Sequence, residues 1–307
     1  MKSVLVTGGS GLVGSAIKEL VEYNYDNYHF LYINSKQVDL RNYDETLEFF
    51  KYTQPDYVIH LAACVGGLYK NMNENMYTDN VRINTNVIDC AYKVGVKRLI
   101  ACLSTCIFPD KTVYPIDETM LHNGPPHESN EGYAYAKRMM EVQCKLYNKY
   151  YDTKFVCIIP TNIFGEHDNY NLEDSHVIPA LIHKCYLAKK DNTAFIIKGS
   201  GKPLRQFIYS MDIAKIIILL LDKNTTESLI IAPDNEVPIK KVVEMIAKQF
   251  DQSTVIYNEM YDDGQYRKTT QSIHFKKLFP EFIFSSLEES IKITINYFIN
   301  NYETIRK

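Results

Sequence analysis

Residues 7–14 read TGGSGLVG, and this stretch decides the predicted fold. It follows the apolar run SVLV at 3–6 and leads into LVGSAIKELVEY at 12–23, where apolar residues recur at helical spacing. Glycines at such a strand-to-helix turn let the backbone approach a pyrophosphate, whose charge the helix N-terminus favours. We therefore predict a dinucleotide-binding turn, with a purely structural glycine-rich turn as the alternative. The predicted cofactor contacts are Gly8, Gly11, Leu12, Val13 and Gly14.

Outward from this turn, short apolar runs alternate with helical patterns. Further strands are predicted at 29–33, 57–63, 98–104 and 154–160, with helices near 43–52, 78–95 and 132–150. Nearly continuous apolar strands separated by helices predict a parallel sheet that is covered on both faces. The predicted fold class is therefore α/β, a Rossmann-type doubly wound parallel sheet with a smaller C-terminal substrate-binding domain.

The end of the second predicted strand distinguishes the two nicotinamide cofactors. The sequence there is LYINSKQVDL (31–40), so Asn34, Ser35 and Lys36 stand where an acidic residue would select NAD(H). A hydroxyl and a cation suit the 2′-phosphate of NADP(H), which we predict as the cofactor. The alternative for Lys36 is a solvated surface lysine. We place Asp39 past the strand end, near the adenine.

The pattern loosens after residue 165, which marks a change of domain. We predict one strand at 194–198 and helices near 174–189, 211–222, 238–250 and 286–304. The predicted NADP-binding domain spans 1–165 and is rejoined by about 206–232. The predicted substrate-binding domain combines 166–205 with 233–307.

The composition excludes several classes of partner. The 307 residues carry a formal net charge of −3, so no global charge favours nucleic acid or an anionic membrane. The longest apolar run, at 216–221, is too short to span a bilayer, and the start MKSVLVTGG shows no secretory signal. Seven scattered cysteines without a C-x-x-C pair indicate reduced thiols, so we expect a cytoplasmic protein. We predict no metal site.

The sequence GYAYAK at 132–137 supplies candidate catalytic groups. Tyr133 and Lys137 share one helix face, so Lys137 can hold the nicotinamide ribose and lower the pKa of Tyr133. Tyr133 can then donate a proton to a carbonyl oxygen as hydride reaches the carbon. The Y-x-x-x-K spacing occurs four times, but only this copy follows a strand ending in hydroxyls, where Ser104 can bond the same oxygen. The alternative is an ordinary surface pair.

These features together resemble the extended short-chain dehydrogenase/reductases that act on nucleotide sugars. The resemblance extends in order over nearly the whole chain, through LAACVGGLYKNM (61–72), LSTCIFPD (103–110), HNGPPHESNEGYAYAKRM (122–139), PTNIFGEHDNYN (160–171), HVIPALIHK (176–184), RQFIYSMDIA (205–214) and DDGQYRKT (262–269). It implies an NADPH-dependent enzyme that inverts C3 and C5 of GDP-4-keto-6-deoxy-D-mannose and reduces C4, yielding GDP-L-fucose.

The resemblance gives Cys106 and His176 a role that reduction alone does not require. Both inverted carbons lie beside the C4 ketone, so a base must remove each proton and an acid must return it from the opposite face. A thiol and an imidazole suit this chemistry, and the family implies Cys106 as base and His176 as acid. Tyr133 and Ser104 would hold the enolate oxygen. From the residues alone, the cysteine is more typical of apolar packing and the histidine of a structural residue.

The same resemblance implies contacts with both ligands. Arg205 and Lys184 would face the diphosphate, and Asp263 the nucleoside side. Lys198 stands where the family usually has Trp, in a chain without Trp, so we expect an altered substrate contact there. Without the family, each single charge is typical of a solvated surface residue. The other implied contacts are Pro160, Asn162 and Ile163, near the nicotinamide and sugar, with Lys137 and His176 also touching the cofactor.

Two rival functions stay open from the sequence. A related nucleotide-sugar dehydratase or C4-epimerase would use the serine, tyrosine and lysine with tightly held NAD, without needing Cys106 and His176. A non-catalytic NADP-sensing protein would be expected to lose the tyrosine or the lysine.

The expected partners are a GDP-sugar and a second copy of the chain. The homodimer would pair the helices near 78–95 and 132–150. The apolar residues that could serve this contact, unless they pack internally, are Tyr77, Val81, Ile83, Val87 and Ile88.

Overall fold

The computed structural model describes residues 1–22, 25–65, 75–261, 263 and 265–307. Its main sheet has six parallel strands in the order β10-β5-β4-β3-β1-β2. Their bounds are β1 (Lys2–Thr7), β2 (Tyr28–Ile33), β3 (Tyr57–His60), β4 (Arg98–Cys102), β5 (Phe155–Pro160) and β10 (Leu229–Ile231). Three further pairs of short strands are β6 (Asn162–Phe164) with β9 (Phe207–Tyr209), β7 (Phe195–Lys198) with β12 (Val255–Asn258), and β8 (Leu204–Arg205) with β11 (Val237–Pro238).

Helices cover both faces of this sheet, and others pack outside it. The bounds of all the helices are α1 (Leu12–Val21), α2 (Tyr43–Thr53), α3 (Asn75–Lys93), α4 (Glu131–Tyr151), α5 (Val177–Lys190), α6 (Ser210–Leu221), α7 (Ile239–Gln249), α8 (Ile273–Leu278) and α9 (Leu287–Asn300). Among the described residues, no helix combines the length and apolar character needed to cross a bilayer.

The sheet forms because its central strands are apolar on both sides. Strand β5, FVCIIP, is buried at every position. One face packs against α2, α3 and α4 through residues such as Phe50, Val87 and Met140. The other face packs against α1 and α6 through residues such as Ile17 and Ile217. This arrangement confirms the predicted α/β doubly wound parallel sheet.

The order of the strands fixes where a ligand can bind. Strand β1 lies between β2 and β3, so the chain leaves β1 first to one side and then to the other. In such sheets, ligands bind in the crevice at the carboxyl ends of the strands, where the order reverses. The glycine turn at 8–11 lies at this point.

A third apolar cluster lies outside the main sheet. It joins α5, α7 and α9 through residues such as Ile182, Ile246 and Phe298. Phe275 and Phe279, from α8 and its C-terminal end, pack instead in the cluster on the main sheet. These contacts show which segments pack on the main sheet and which pack in the third cluster. The division into two domains stays a prediction.

Several predicted boundaries differ from the structure by a few residues, and two of the differences have a local explanation. Strand β3 ends at His60 rather than residue 63, because the chain then turns against the glycine turn and Ala62 N donates to Thr7 Oγ1 at 3.2 Å. Helix α5 begins at Val177 rather than near 174, because Asn171 Oδ1 accepts from two backbone N–H groups and holds a turn there. The two- to four-residue strands other than β3 and β7 were not predicted, since so few residues show no alternation.

The residues expected at a dimer contact are only partly on the surface. Ile83, Val87 and Ile88 are buried in the core against the sheet, so for these three the alternative of internal packing holds. Tyr77 is 44% exposed and Val81 is half-buried. Helix α3 uses one face for the core, and this face includes the three aliphatic residues that the sequence offered for a partner.

Candidate active site

One deep cleft of about 970 Å³ lies at the carboxyl ends of the main-sheet strands. It brings together all five predicted catalytic residues, Ser104, Cys106, Tyr133, Lys137 and His176. The cleft is also lined by every predicted cofactor contact except Lys36, namely Gly8, Gly11, Leu12, Val13, Gly14, Ser35, Lys137, Pro160, Asn162, Ile163 and His176. Among the described residues, no group of three or more His, Cys, Asp or Glu side chains could hold a metal ion.

The glycine turn exposes backbone to the cleft where a side chain would not fit. Gly8 has φ +70°, in the region that favours glycine, and a Cβ there would lie 2.8 Å from Ala62 N. A Cβ on Gly14 would lie 2.7 Å from the carbonyl O of Gly8. Helix α1 begins at Leu12, so its unpaired N–H groups stand at the cleft wall as an anion site. This cradle fits the pyrophosphate of a dinucleotide.

The end of β2 brings a hydroxyl to the cleft, and the loop that follows it brings a cation. Ser35 lines the cleft, whereas Lys36 is exposed and outside its lining. Arg41 lines the cleft instead, with its Nε 2.9 Å from Asp39 Oδ1 and its Nη1 3.3 Å from Asp79 Oδ2. The sequence reading missed Arg41, although a second cation shortly after the strand was the available signal.

Ser104 and Cys106 lie where the chain leaves β4. Ser104 caps a 3₁₀ turn over Thr105–Ile107, and its Oγ accepts from the backbone N of Cys106 at 3.5 Å. Helix α4 carries Tyr133 and Lys137 to the same place. Lys137 Nζ donates to the carbonyl O of Cys102 at 2.7 Å and lies 5.7 Å from the centre of the Tyr133 ring. A strand end and one helix face thus form a single group.

Burial controls the protonation of the tyrosine and the lysine. Tyr133 is 8% exposed and Lys137 is 1% exposed. Burial raises the pKa of Tyr133 well above its usual value, and the nearby thiols of Cys106 and Cys102 act in the same direction. Burial also lowers the pKa of Lys137. The expectation that Lys137 lowers the pKa of Tyr133 therefore differs from the structure, because desolvation of the phenolate dominates.

The Cys106 thiol is subject to opposing influences. Burial raises its pKa, and this is the largest effect. A hydrogen bond with Ser104 and the charges of Lys268 and Lys137 lower it. Lys268 is half-buried, lines the same cleft, and has its own pKa lowered by burial. The sequence reading missed Lys268, which no local pattern marks.

His176 enters the cleft from the C-terminal half of the chain. It immediately precedes α5 and occupies the N-cap position of that helix. The His176 side chain is exposed in the open cleft, but the protein atoms around it lower its pKa by desolvation, and the charge of Arg306 lowers it further. Asp168 and Arg306 line the cleft as well, and neither was predicted. The imidazole is thus biased towards its neutral form.

A second cavity of about 220 Å³ adjoins the cleft at Val177, which lines both. Its walls include four of the predicted substrate contacts, Lys184, Lys198, Arg205 and Asp263. The fifth, Asn162, lies in the main cleft, where its Nδ2 donates to the carbonyl O of Gln206 at 2.8 Å. Residues 66–72 of one resembling block, and Asp262 and Gly264 beside Asp263, lie outside the described residues.

Hydrogen bonds hold the charged groups of the second cavity. Arg205 donates to the carbonyl O atoms of Leu204 and Gln265 at 2.7 and 2.6 Å. Burial lowers the pKa of Arg205, and also that of Lys184. These cations make the cavity a favourable place for an anion.

The same cavity also contains a negative charge, the Asp263 carboxylate, which Ser200 holds in place. The Asp263 carboxylate accepts from the backbone N and the Oγ of Ser200 at 2.7 and 2.5 Å. These bonds lower the pKa of Asp263. The Lys198 ammonium lies 5.0 Å from the centre of the Tyr261 ring, where an aromatic face can stabilise a cation.

Comparison with known proteins gives this architecture a family. Residues 4–232 match the model of the NAD dependent epimerase/dehydratase family. The match covers most of the chain, which therefore belongs to that family.

Particular relatives extend the similarity over the full length. GDP-L-fucose synthase from Dictyostelium discoideum is 48% identical over 313 residues, covering 100% of this chain and 98% of the relative. A probable GDP-L-fucose synthase from Drosophila melanogaster is 43% identical over 321 residues, covering 100% of both. The crystal structure of a GDP-L-fucose synthetase from Naegleria fowleri bound to NADP has a TM-score of 0.95 at 43% identity, covering 100% of this chain and 95% of that one. These matches confirm the resemblance seen in the sequence blocks.

Proposed function

We propose that this chain is a bifunctional NADPH-dependent enzyme converting GDP-4-keto-6-deoxy-D-mannose to GDP-L-fucose. It would invert C3 and C5 and reduce C4. The observation that carries the proposal is the meeting of Ser104, Cys106, Tyr133, Lys137 and His176 in one cleft. Reduction accounts for three of these residues, and inversion accounts for Cys106 and His176. The relatives named GDP-L-fucose synthase, which span the whole chain, support the proposal.

The cofactor we propose is NADP(H), which supplies a hydride when bound. The Naegleria fowleri structure bound to NADP supports this choice. In this chain the cradle around Gly8 and Gly14, which a Cβ would fill, would receive the pyrophosphate. Ser35 and Lys36 would face the 2′-phosphate. Arg41 is a further candidate for that phosphate, because it lines the cleft and two carboxylates restrict its guanidinium.

Reduction at C4 requires a proton for the oxygen. Tyr133 is the donor, since its raised pKa keeps the phenol protonated over the neutral range. Ser104 Oγ would hold the same oxygen. Lys137 Nζ, fixed by the carbonyl O of Cys102, would bond the nicotinamide ribose.

Inversion requires a base and an acid on opposite faces of the sugar ring. Cys106, as thiolate, would remove one proton from C3 and one from C5. His176, as imidazolium, would return a proton to the other face of each carbon. The charges of Lys268 and Lys137 favour the thiolate. The oxygen of the enolate would stay against Tyr133 and Ser104.

The second cavity would hold the nucleotide end of the substrate. Lys184 and Arg205 would face the diphosphate, and Asp263 the nucleoside. Lys198 adds a third cation at this cavity. The sugar would then extend past Val177 into the main cleft, towards Asn162.

Assembly, location and domains complete the proposal. We propose a homodimer through the outward faces of α3 and α4, which carry exposed Tyr77, Tyr92, Met139, Leu146 and Tyr150. The scattered cysteines support a cytoplasmic location. The domain division is the one proposed from the sequence, at 1–165 with about 206–232, and 166–205 with 233–307.

The test is to add GDP-4-keto-6-deoxy-D-mannose to the protein with NADPH. We expect loss of NADPH absorbance and GDP-L-fucose as the product by NMR. Turnover with tightly held NAD and no net oxidation would instead indicate a dehydratase or C4-epimerase. Binding of NADPH without turnover of the substrate would indicate a sensing protein.

A further inference from the structure

If the proposed function holds, one base and one acid must act twice, so both must return to their starting protonation states between the two inversions. After the first inversion, Cys106 carries the proton taken from the substrate, and His176 has given one up. The second inversion needs the thiolate and the imidazolium again. A proton must therefore leave Cys106, and another must reach His176, between the two steps. Some group near His176 has to supply that proton.

Asp168 is the candidate for this task. It is 6% exposed and lines the same cleft as His176. Its Oδ1 accepts from the backbone N of Asn169 at 2.8 Å. Its Oδ2 is buried and has no hydrogen-bond partner within the part of the chain that the structure describes. A buried carboxylate oxygen without a partner is costly, so this oxygen favours a proton.

Burial decides the acidity of this carboxyl group. It raises the pKa of Asp168 to about 7, against opposing effects from the Asn169 N–H and the charge of Arg306. Both the acid and its conjugate base are therefore populated near neutral pH. That is the condition for a group that gives and regains a proton in each cycle.

The C-terminal segment and the start of α5 complete the surroundings. The backbone N of Tyr170 donates to the carbonyl O of Arg306 at 2.8 Å, which holds that segment against the loop of Asp168. The Arg306 charge acts on both Asp168 and His176. Ser175 Oγ, next to His176 in the chain, lines the cleft and is buried with no hydrogen-bond partner among the described residues. Two polar atoms without partners in the described part of the chain and a cation thus line the cleft that contains the imidazole.

We propose that Asp168 is a positioning residue that re-protonates His176 between the two inversions. Its carboxyl O–H bond breaks as an N–H bond forms on the neutral imidazole. The carboxylate left behind is stabilised by Arg306 and regains a proton from water in the cleft. Cys106 returns its own proton to water, so the pair is reset with no net change in protons or electrons. Asp168 acts through His176 and does not touch the substrate.

The surroundings of Asp168 fix the sign of the pH dependence. Arg306 acts on Asp168 directly, and Asp174 and His176 line the same cleft. Tyr170, in the same segment, is acted on by Asp168 itself and by Glu166, Tyr209 and Tyr297. The proton donor is the acid form of Asp168. The second inversion should therefore slow as the pH rises through about 7, the pKa of this group. Removing Arg306 should move that fall to higher pH, because its charge lowers the pKa of Asp168.

The first experiment uses Asp168→Asn, which keeps the shape and the hydrogen bond from Asn169. Wild type and variant are given GDP-4-keto-6-deoxy-D-mannose and NADPH in D₂O, and NMR reports deuterium and configuration at C3 and C5. We expect NADPH oxidation to continue while the second inversion slows by about 10–100-fold, so singly inverted sugars accumulate. Glu173→Gln, an exposed acid of the same loop outside the cleft, is the matched control and should match wild type.

The second experiment compares Arg306→Gln with Lys307→Gln over a range of pH. Both residues are exposed, so both variants should fold even if Asp168→Asn does not. We expect the loss of the second inversion to move to higher pH only in Arg306→Gln. Full double inversion and an unchanged pH profile in Asp168→Asn, or an unshifted profile in Arg306→Gln, would overturn the inference. Wild type that forms no GDP-L-fucose would overturn the proposed function instead.

Discussion

The reducing and the inverting sides of the cleft are built differently. Tyr133 and Lys137 come from one helix beside one strand end, and Lys137 is bonded to that strand at Cys102. On the inverting side, Cys106 follows Ser104 on the turn after β4. Its other groups, His176, Lys268 and the Asp168–Arg306 group, come from separate C-terminal segments. Proton donation to C4 needs one fixed acid. Inversion needs several groups that change charge in turn, and separate segments allow each to have its own environment.

The segment of Lys268 shows how such a group is still held in place. Tyr114 Oη donates to the carbonyl O of Arg267 at 2.7 Å, and the backbone N of Ile116 donates to the carbonyl O of Thr269 at 2.9 Å. Both neighbours of Lys268 are therefore tied to the loop after β4. The lysine itself lines the cleft, so its charge is placed before any ligand arrives.

The largest effect should come from the reducing side. Tyr133→Phe removes the proton donor but keeps the ring, so we expect NADPH binding to survive and substrate-dependent oxidation to fall by about 10²–10⁴-fold. Absorbance of NADPH and a binding titration measure the two. Tyr150→Phe is the control, because Tyr150 has the same spacing to a lysine but is exposed. Oxidation near the wild-type rate in Tyr133→Phe would place the donor elsewhere.

Cys106→Ser should also have a large effect, but on inversion and not on reduction. A serine hydroxyl is almost never ionised near neutral pH, so deuterium uptake at C3 and C5 should fall by about 10²–10³-fold. The reducing groups remain, and the unepimerised ketone should be reduced to a 6-deoxyhexose other than fucose. NMR and mass spectrometry of the product in D₂O distinguish the two sugars. Undiminished deuterium uptake at both carbons would show that Cys106 only packs in the cleft and takes no part in inversion.

A smaller effect is expected from Lys268→Met. The charge of Lys268 lowers the pKa of Cys106, so its removal should raise that pKa and reduce the thiolate at neutral pH. Inversion should then fall by about tenfold for each unit of pKa, and recover as the pH is raised. Deuterium uptake measured against pH tests this. Lys277→Met, an exposed lysine of α8, should leave the profile in place. If deuterium uptake depends on pH in the same way in both variants, Lys268 does not contribute to inversion.

The smallest effect concerns the adenosine end of the cleft, which belongs to neither side. NADPH should have a higher kcat/KM than NADH, and Arg41→Ala should narrow that gap by about fivefold, since an exposed ion pair contributes up to about 1 kcal/mol. Lys36→Ala should narrow it less, because Lys36 does not line the cleft. Both cofactors are measured on wild type and on each variant. Equal or better use of NADH by wild type would contradict the assignment.

The sequence predicts the reducing side well because its signals are local. The glycine turn follows β1 directly, and Tyr133 and Lys137 lie one helical turn apart, after a strand that Ser104 follows by two residues. Burial is not visible in such spacing, which is why the pKa of Tyr133 was expected to be lowered and is raised.

The inverting side is less predictable because single residues carry it. Cys106 and His176 were found only through resemblance to a family. Lys268, Asp168 and Arg306 have no motif of their own, and each is brought to the cleft by tertiary packing. The sequence left the packing of the aliphatic residues of α3 open for a related reason, since an apolar stripe does not tell which surface it packs against.

The last strand of the main sheet has a consequence for how the chain is made. Strand β10 pairs with β5, and the Glu118 carboxylate accepts from the backbone N of Ile230 in β10 at 2.9 Å. On the ribosome, β5 emerges well before this partner, because the segments from β6 to α6 come between them. Until β10 emerges, one edge of the apolar strand FVCIIP is unpaired. A nascent chain that ends before β10 should therefore associate with chaperones that bind exposed apolar strands, and release from them should coincide with synthesis of Leu229–Ile231.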